Sequence, residues 1–334
     1  MSLPIVFLFY FLSSAALVYF SIKCADYVDL LDKKTSMSGA FIGGVILAAV
    51  TSLPELITSI SALSIGNEGL IIGNVLGSNI FNLCIFGSLT ALSVRAFAKC
   101  KMGRAHLATL LCTIIADVLM IATLLLDPKY TRIPGIEINA ASLVILIIYF
   151  VSLRYLSADE TENDEEDTSP LTVKQIVIRM ILMALGLVVM SFVVTCFADK
   201  IQKGIPGIGS SLTGALFLGI TTSLPELTSS ITLVRRRNFN AMVGNVVGSN
   251  MFNFTIFSVA DFFAGKTIIY QQSDASMMMI YFGITSTVLV SASILLQNKL
   301  KQSAPEKKSK LFIYALLGLG VCASYITSLA LGAV

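Results

Sequence analysis

The sequence predicts an all-α polytopic membrane protein, with ten transmembrane helices arranged as two inverted five-helix repeats. Three observations predict it. Of 334 residues, 55% are hydrophobic and only 13% charged, with a mean hydropathy of +0.84; a soluble domain of this size needs far more charge to cover its surface. Apolar runs of bilayer-spanning length recur along the chain. Backbone groups have no water partners in lipid, so such runs must be helical, and the alternating pattern of a membrane barrel is absent. The third observation is a long duplicated motif. Thr51-Ser52-Leu53-Pro54-Glu55 and Gly73-Asn74-Val75-Leu76-Gly77-Ser78-Asn79-Ile80-Phe81-Asn82 recur as Thr222-Ser223-Leu224-Pro225-Glu226 and Gly244-Asn245-Val246-Val247-Gly248-Ser249-Asn250-Met251-Phe252-Asn253. The offset between the copies never changes.

Taken in order, the spans are expected at residues 3–22, 38–64, 69–94, 105–126, 136–153, 173–198, 210–234, 240–263, 276–296 and 311–331. The first run lacks a basic leading segment and a small-residue cleavage site, so it reads as a span rather than a cleaved signal. The second, third, seventh and eighth spans carry the motif, and each is expected to be long with an internal interruption. Residues 1–156 form the first repeat and residues 173–334 the second. Between them, 157–172 is an acidic linker containing Asp159, Glu160, Glu162, Asp164, Glu165, Glu166 and Asp167. No EF-hand pattern appears there, and a solvated linker accounts for it better than a calcium sensor.

Orientation follows from the cations. Eighteen of the 23 Lys and Arg residues fall in the loops after spans 1, 3, 5, 7 and 9 or, as Arg179, in the first turn of span 6. Those loops, the linker among them, are therefore expected in the cytoplasm and both termini outside it. Span 1 then starts on one side and span 6 on the other, so the halves are inverted. Inverted repeats with interrupted helices are a signature of secondary transporters, whose ion sites lie near the midplane where the halves meet.

The chemistry of the motif fits that placement. A proline inside a membrane helix removes a backbone hydrogen bond and frees carbonyls, here near Thr51 and Thr222. Glu55 and Glu226 put a carboxylate beside each break, and a glutamate in apolar surroundings is by default functional. Ser78 and Asn82 are four apart, as are Ser249 and Asn253, so each pair shares a helix face. Two carboxylates, two asparagines, serines and exposed carbonyls make an all-oxygen cage suited to Ca²⁺ or Na⁺ rather than a soft metal, with Mg²⁺ less apt. Packing is the rival role for the serines, and interhelical hydrogen bonding for Asn82 and Asn253. Asn74, Asn79, Asn245 and Asn250 are expected to pack or cap. Thr58, Ser59, Ser229 and Ser230 are expected as polar lining.

The remaining features are weaker. Cys24, Cys84, Cys100, Cys112, Cys196 and Cys322 show no metal or disulfide spacing and read as packing residues. The single histidine, His106, falls near a helix end, where an interfacial role outweighs proton transfer. Asp117 lies mid-span with Val288 at the matching position of the second repeat. It is expected to titrate, pair with a polar neighbour or line a water-filled cavity, outside the main site. The net charge of +3 sits in loops and points to no nucleic-acid partner. No nucleophile–base pair, phosphate loop or protease motif suggests an enzyme.

The paired TSLPEL and GNxxGSNxxN blocks resemble the α-repeats of the sodium/calcium exchanger family, within the cation/calcium antiporter superfamily, in a prokaryotic-type member without large regulatory domains. The resemblance covers essentially the whole membrane portion. It implies that Glu55 and Glu226 are central calcium ligands. Ser52, Ser78, Ser223 and Ser249 would be sodium ligands, helped by the carbonyls of Thr51 and Thr222, and Asn82 would belong to the same centre. It further implies alternating access, with the first and sixth helices sliding across the other eight. Many members carry aspartate where this chain has Asn253, which bears on ion choice and stoichiometry and makes potassium dependence doubtful. The first repeat reads Ala49-Val50-Thr51 where a glycine commonly precedes the threonine.

The expectation is thus a Na⁺/Ca²⁺ antiporter in a prokaryotic plasma membrane, driving calcium efflux with the sodium gradient. Ca²⁺ and Na⁺ are its substrates, it needs no cofactor, and it works as a monomer. A H⁺/Ca²⁺ antiporter or an exporter of Mg²⁺ or Mn²⁺ is the alternative, and a cation channel a remote one.

Overall fold

The computed structural model describes residues 1–34, 48–100, 102, 105–126, 128–156, 170–235, 237–270, 272–300 and 308–331. The acidic linker up to residue 169, and the first ten residues of the expected span 38–64, lie outside the described residues. Among the described residues the structure is helical, without strands; Arg132 and Asn139 form one isolated bridge.

In chain order the helices are α1 (Leu3–Lys34), α2 (Ala48–Thr51), α3 (Leu53–Ser64), α4 (Glu68–Leu92), α5 (Val94–Lys99), α6 (Ala105–Leu125), α7 (Pro128–Thr131) and α8 (Ala140–Leu156). They continue as α9 (Val173–Gly204), α10 (Ser210–Thr222), α11 (Leu224–Arg235), α12 (Phe239–Ala264), α13 (Asp274–Leu300) and α14 (Lys308–Leu331).

Seven of these, α1, α4, α6, α9, α12, α13 and α14, contain stretches long and apolar enough to cross a bilayer. The other three expected spans fall short among the described residues. Residues 48–64 break at Ser52, and 210–235 break at Ser223, one residue before each Leu-Pro-Glu. Helix α8 has only 17 residues. The interruption expected in the third and eighth spans is not there: α4 and α12 run unbroken through their motif glycines, because neither contains a proline. The two outer helices overrun instead. Helix α1 continues through Lys34 and α9 through Gly204, because nothing after the apolar run stops a helix. Helix α9 starts from a capping box, with Thr172 and Gln175 satisfying each other's backbone N–H groups.

Helices α4 and α12 form the centre. Leu70, Ile71, Ile72 and Val75 of α4, and Phe239, Met242, Val243 and Val246 of α12, are fully buried. Helices α1 and α9 lie at the edge, packed along each other. Their outer faces expose Leu8, Phe11 and Leu12 and Ile181, Leu182 and Leu185, a surface that suits lipid and would be costly in water. Toward the α5 end, Phe97 stacks edge-on against Phe86, Phe239 and Tyr314 at 6.0, 5.8 and 5.4 Å.

Two contacts fix the centre of the bundle closely. A Cβ on Gly73 would lie 1.9 Å from Ser211 O, and one on Gly77 would lie 2.5 Å from Ala215 Cα. Only glycine lets α4 approach α10 this closely. Opposite these glycines, residues Gly214–Gly219 of α10 wind as a π-helix, wider than the turns on either side.

Near the C-terminus of α12, Asp261 Oδ2 accepts from Asn139 N and Ser142 Oγ, both at 2.7 Å. Ser142 also bonds Tyr270 OH at 2.6 Å, and burial raises the Tyr270 phenol above its ordinary pKa. Arg132 donates to the carbonyls of Gly265, Lys266 and Thr267 at 2.6, 3.0 and 3.0 Å. Helix α12 ends there because Gly265 takes φ 57°, a left-handed value at no steric cost.

Candidate functional site

The two breaks put the same residues at the start of two new helices. Ser52 adopts φ −92°, ψ 7° and Ser223 φ −90°, ψ 6°. Neither value continues a helix, and Leu53 and Leu224 restart it. Pro54 then sits in the first turn of α3, where its missing N–H is tolerated. Counting four residues back puts the carbonyls that proline cannot bond at Val50 and Thr221, beside the expected Thr51 and Thr222. Glu55 and Glu226 fall in the first turns of α3 and α11, where the helix dipole favours a negative charge.

All ten residues singled out by the sequence are buried in the structure. Thr51 is 1% exposed, and Ser52, Glu55, Ser78, Asn82, Thr222, Ser223, Glu226, Ser249 and Asn253 are 0% exposed. Ser52 directly precedes α3 but makes no side-chain cap. Its hydroxyl crosses to the other copy and donates to Glu226 Oε1 at 3.3 Å. Ser223 does the reverse and donates to Glu55 Oε1 at 3.1 Å. Ser249 adds a 3.5 Å contact to the same Glu226 oxygen, while Ser78 bonds Gly219 O at 3.2 Å and pairs with the Thr222 hydroxyl at 3.4 Å.

The second carboxylate oxygens behave differently. Glu55 Oε2 and Glu226 Oε2 are buried without a hydrogen-bond partner among the described residues, and so are Asn82 Oδ1 and both polar side-chain atoms of Asn253. Buried oxygens left unmatched are costly, and oxygens of this kind are the donors a hard cation takes. The described residues contain no cluster of three His, Cys, Asp or Glu side chains, so the charge here is that of two carboxylates.

A set of braces, expected only to pack or cap, holds the breaks in shape. Asn74 Nδ2 faces Glu55 O, Thr58 Oγ1 and Ser59 Oγ at 3.0, 3.0 and 2.9 Å. Asn245 Nδ2 faces the matching Glu226 O, Ser229 Oγ and Ser230 Oγ at 3.4, 3.2 and 3.1 Å. Thr222 Oγ1 donates to Asn74 Oδ1 at 3.3 Å and so joins the two copies. Asn250 links them again, accepting from Asn82 Nδ2 and donating to Asn79 O, both at 3.0 Å. The duplication of these asparagines was the available signal; their partners were not readable.

Two further side chains stand apart. His106, 3% exposed, pairs through Nε2 with Asn240 Oδ1 at 2.8 Å near the start of α12. The six cysteines are free thiols.

Fold and centre together define a helical polytopic membrane protein with a closed, oxygen-lined interior. Residues 5–158 and 176–332 match the family described as sodium/calcium exchanger protein, and the chain belongs to that family, whose members are transporters rather than enzymes. Among curated relatives, an uncharacterised membrane protein of Methanocaldococcus jannaschii is 28% identical over 252 residues, covering 72% of this chain and 76% of the relative. The putative antiporter CaxA of Alkalimonas amylolytica is 28% identical over 225 residues, covering 66% and 69%. Among solved structures, the sodium-calcium exchanger NCX_Mj superposes with a TM-score of 0.60 at 21% identity, over 98% of this chain and 99% of that one. That likeness is one of fold.

Proposed function

We propose that this chain is a secondary antiporter that exchanges Na⁺ for Ca²⁺ by alternating access and moves calcium outward on the sodium gradient. One observation carries the reading. Each glutamate takes a hydroxyl hydrogen bond from the opposite copy and keeps its other oxygen buried and unpartnered. Two carboxylates among neutral oxygens balance one Ca²⁺ or two Na⁺, so the two ions compete for the same charge. In this reading Glu55 and Glu226 hold Ca²⁺. Ser52, Ser78, Ser223 and Ser249, with the Thr51 and Thr222 carbonyls, serve sodium at the flanks. Asn82 and Asn253 complete the centre with neutral oxygens. Membership of the exchanger family and similarity to CaxA, a putative antiporter, support it.

Residues 1–156 and 173–334 then act as inverted five-helix repeats of a ten-span, monomeric protein. The acidic linker 157–172 is cytoplasmic, and both termini lie outside, in a prokaryotic plasma membrane. Burial of the whole cage corresponds to an occluded state, open to neither side. Helices α1 and α9 are the moving pair. They pack mainly on each other, and side-chain bonds such as Tyr10 OH to Phe217 O and Asn67 Nδ2 to Asp199 Oδ1 tether them to the bundle.

The test is ⁴⁵Ca²⁺ uptake into proteoliposomes preloaded with Na⁺, beside K⁺-loaded and pH-jumped controls. Uptake that requires the outward Na⁺ gradient is the expected result. Uptake driven by the pH gradient alone would make the chain a H⁺/Ca²⁺ antiporter. Absence of uptake in every arm would remove calcium and turn attention to Mg²⁺ and Mn²⁺.

A further inference from the structure

Beside the cage, and outside it, lies a small cavity of about 10 Å³. A space of that size holds one water-sized occupant. Its lining includes Asp117 and Thr113 of α6, Asn79 of α4, Asn250 of α12 and Thr287 of α13, so four helices build it. Asp117 is 4% exposed, and among the described residues it makes no hydrogen bond and no ion pair. Asn79 is 6% exposed, and neither its Oδ1 nor its Nδ2 has a partner. Thr113 and Thr287 spend their hydroxyl hydrogens on Thr109 O and Gly283 O at 3.1 and 2.9 Å, which leaves hydroxyl oxygens as acceptors.

A charged side chain in a membrane interior without a partner is costly. Had Asp117 merely taken a proton, the unpartnered Asn79 amide beside the same cavity is the acceptor it would meet, yet the two make no bond. A single occupant of the void satisfies both. The donors it would meet are one carboxylate, an amide oxygen and two hydroxyl oxygens, an all-oxygen set with one negative charge. That set suits a hard monovalent cation. It is too small in charge and in donor number for Ca²⁺, which takes six to eight oxygens.

We propose that Asp117, Asn79, Thr113 and Thr287 form a second, single-occupancy site that binds one Na⁺ apart from the cage. Asn250 connects the two, because it lines the cavity and also accepts from Asn82 Nδ2. The midplane then offers three negative charges, two shared between the competing ions and one reserved for Na⁺. This rests on the sodium-exchanger reading above.

The experiment is equilibrium ²²Na⁺ binding to the purified full-length protein in detergent, with ⁴⁵Ca²⁺ binding measured in parallel, on wild type, Asp117→Asn and Thr287→Val. Asp117→Asn is expected to bind one Na⁺ fewer per chain, with its Ca²⁺ midpoint moved less than about threefold. Thr287→Val, which deletes an oxygen and no charge, is expected to keep the site count and weaken one class of Na⁺ about three- to tenfold. An unchanged Na⁺ count in folded Asp117→Asn overturns the proposal. So does an unchanged count with one proton fewer released on alkalinisation, which would make the occupant a proton on the carboxyl. If Asp117→Asn does not fold, wild-type Na⁺ affinity in Thr287→Val overturns it instead. A wild-type protein that binds Ca²⁺ but no Na⁺ sinks the sodium-exchanger reading itself, and this site with it.

Discussion

Replacing Asn74 with alanine removes the brace across the first helix break, and the cost follows from the geometry. The Asn74 Nδ2 carries two hydrogens and faces three acceptors at 2.9–3.0 Å in a site that is 0% exposed. Two hydrogen bonds disappear, about 1 kcal/mol each, and acceptors cut off from water add about 1–3 kcal/mol. The bond from Thr222 Oγ1 contributes little, since that hydroxyl also has Leu218 O at 2.9 Å. The total is about 3–5 kcal/mol. Asn245→Ala is the internal control: its contacts run from 3.1 to 3.4 Å and the side chain is half-buried. Water can substitute there, and the expected loss is about 1 kcal/mol. The chain has no tryptophan but six free cysteines, buried or half-buried, so a thiol-reactive fluorophore in detergent reports unfolding. At about 2 °C per kcal/mol for a chain of this length, Asn74→Ala should lower Tm by about 6–10 °C and Asn245→Ala by about 2 °C. Equal losses, or a larger one for Asn245→Ala, would refute the idea that distance and burial set the strength of the brace.

Glu55→Gln and Glu226→Gln each halve the charge of the cage; at an effective dielectric of about 20, a carboxylate about 4 Å away contributes about 4 kcal/mol per unit of the ion's charge. Calcium affinity should fall by about a thousandfold or more with the protein still folded, and wild-type ⁴⁵Ca²⁺ exchange in either variant would undo the assignment. Gly73→Ala places a Cβ 1.9 Å from Ser211 O, so α4 and α10 must separate; overpacking of this kind costs about 1–3 kcal/mol. The thiol assay should show a lower Tm, and an unchanged one would mean that the helices part freely. Arg132→Ala removes the donor to three carbonyls beyond α12. Faster amide exchange in 265–270 than in the cage helices is expected, and uniform exchange would show that Arg132 holds nothing in place.

Much of this architecture was legible because the bilayer leaves the chain few options. Hydropathy alone establishes a helical membrane protein, and the constant offset of the motif picks out ten residues that the structure buries without exception. Hydropathy does not report where a helix ends once it leaves the apolar run, which is why α1 and α9 extend past their expected limits. Periodicity also misses the π-helical turns at Gly214–Gly219, which lie against Gly73 and Gly77 of another helix. Ser52 is the clearest limit. Its hydroxyl bonds Glu226, 174 positions away, a partner that only the fold brings near. Asn74 and Asn245 looked like packing residues because their acceptors, carbonyls and hydroxyls 15 to 19 positions back along the chain, meet them only after folding.

The crossed hydroxyls also bear on how the two copies change over generations. A substitution at Ser52 alters the surroundings of Glu226 and not of Glu55; one at Ser223 does the opposite. Among related sequences, covariation is therefore expected between positions 52 and 226 and between 223 and 55, rather than between equivalent positions of the duplication. Neither copy is free to drift alone, because each supplies the proton donor that the other's carboxylate requires. On this reasoning, the two motifs are expected to stay alike for as long as each hydroxyl serves the opposite carboxylate.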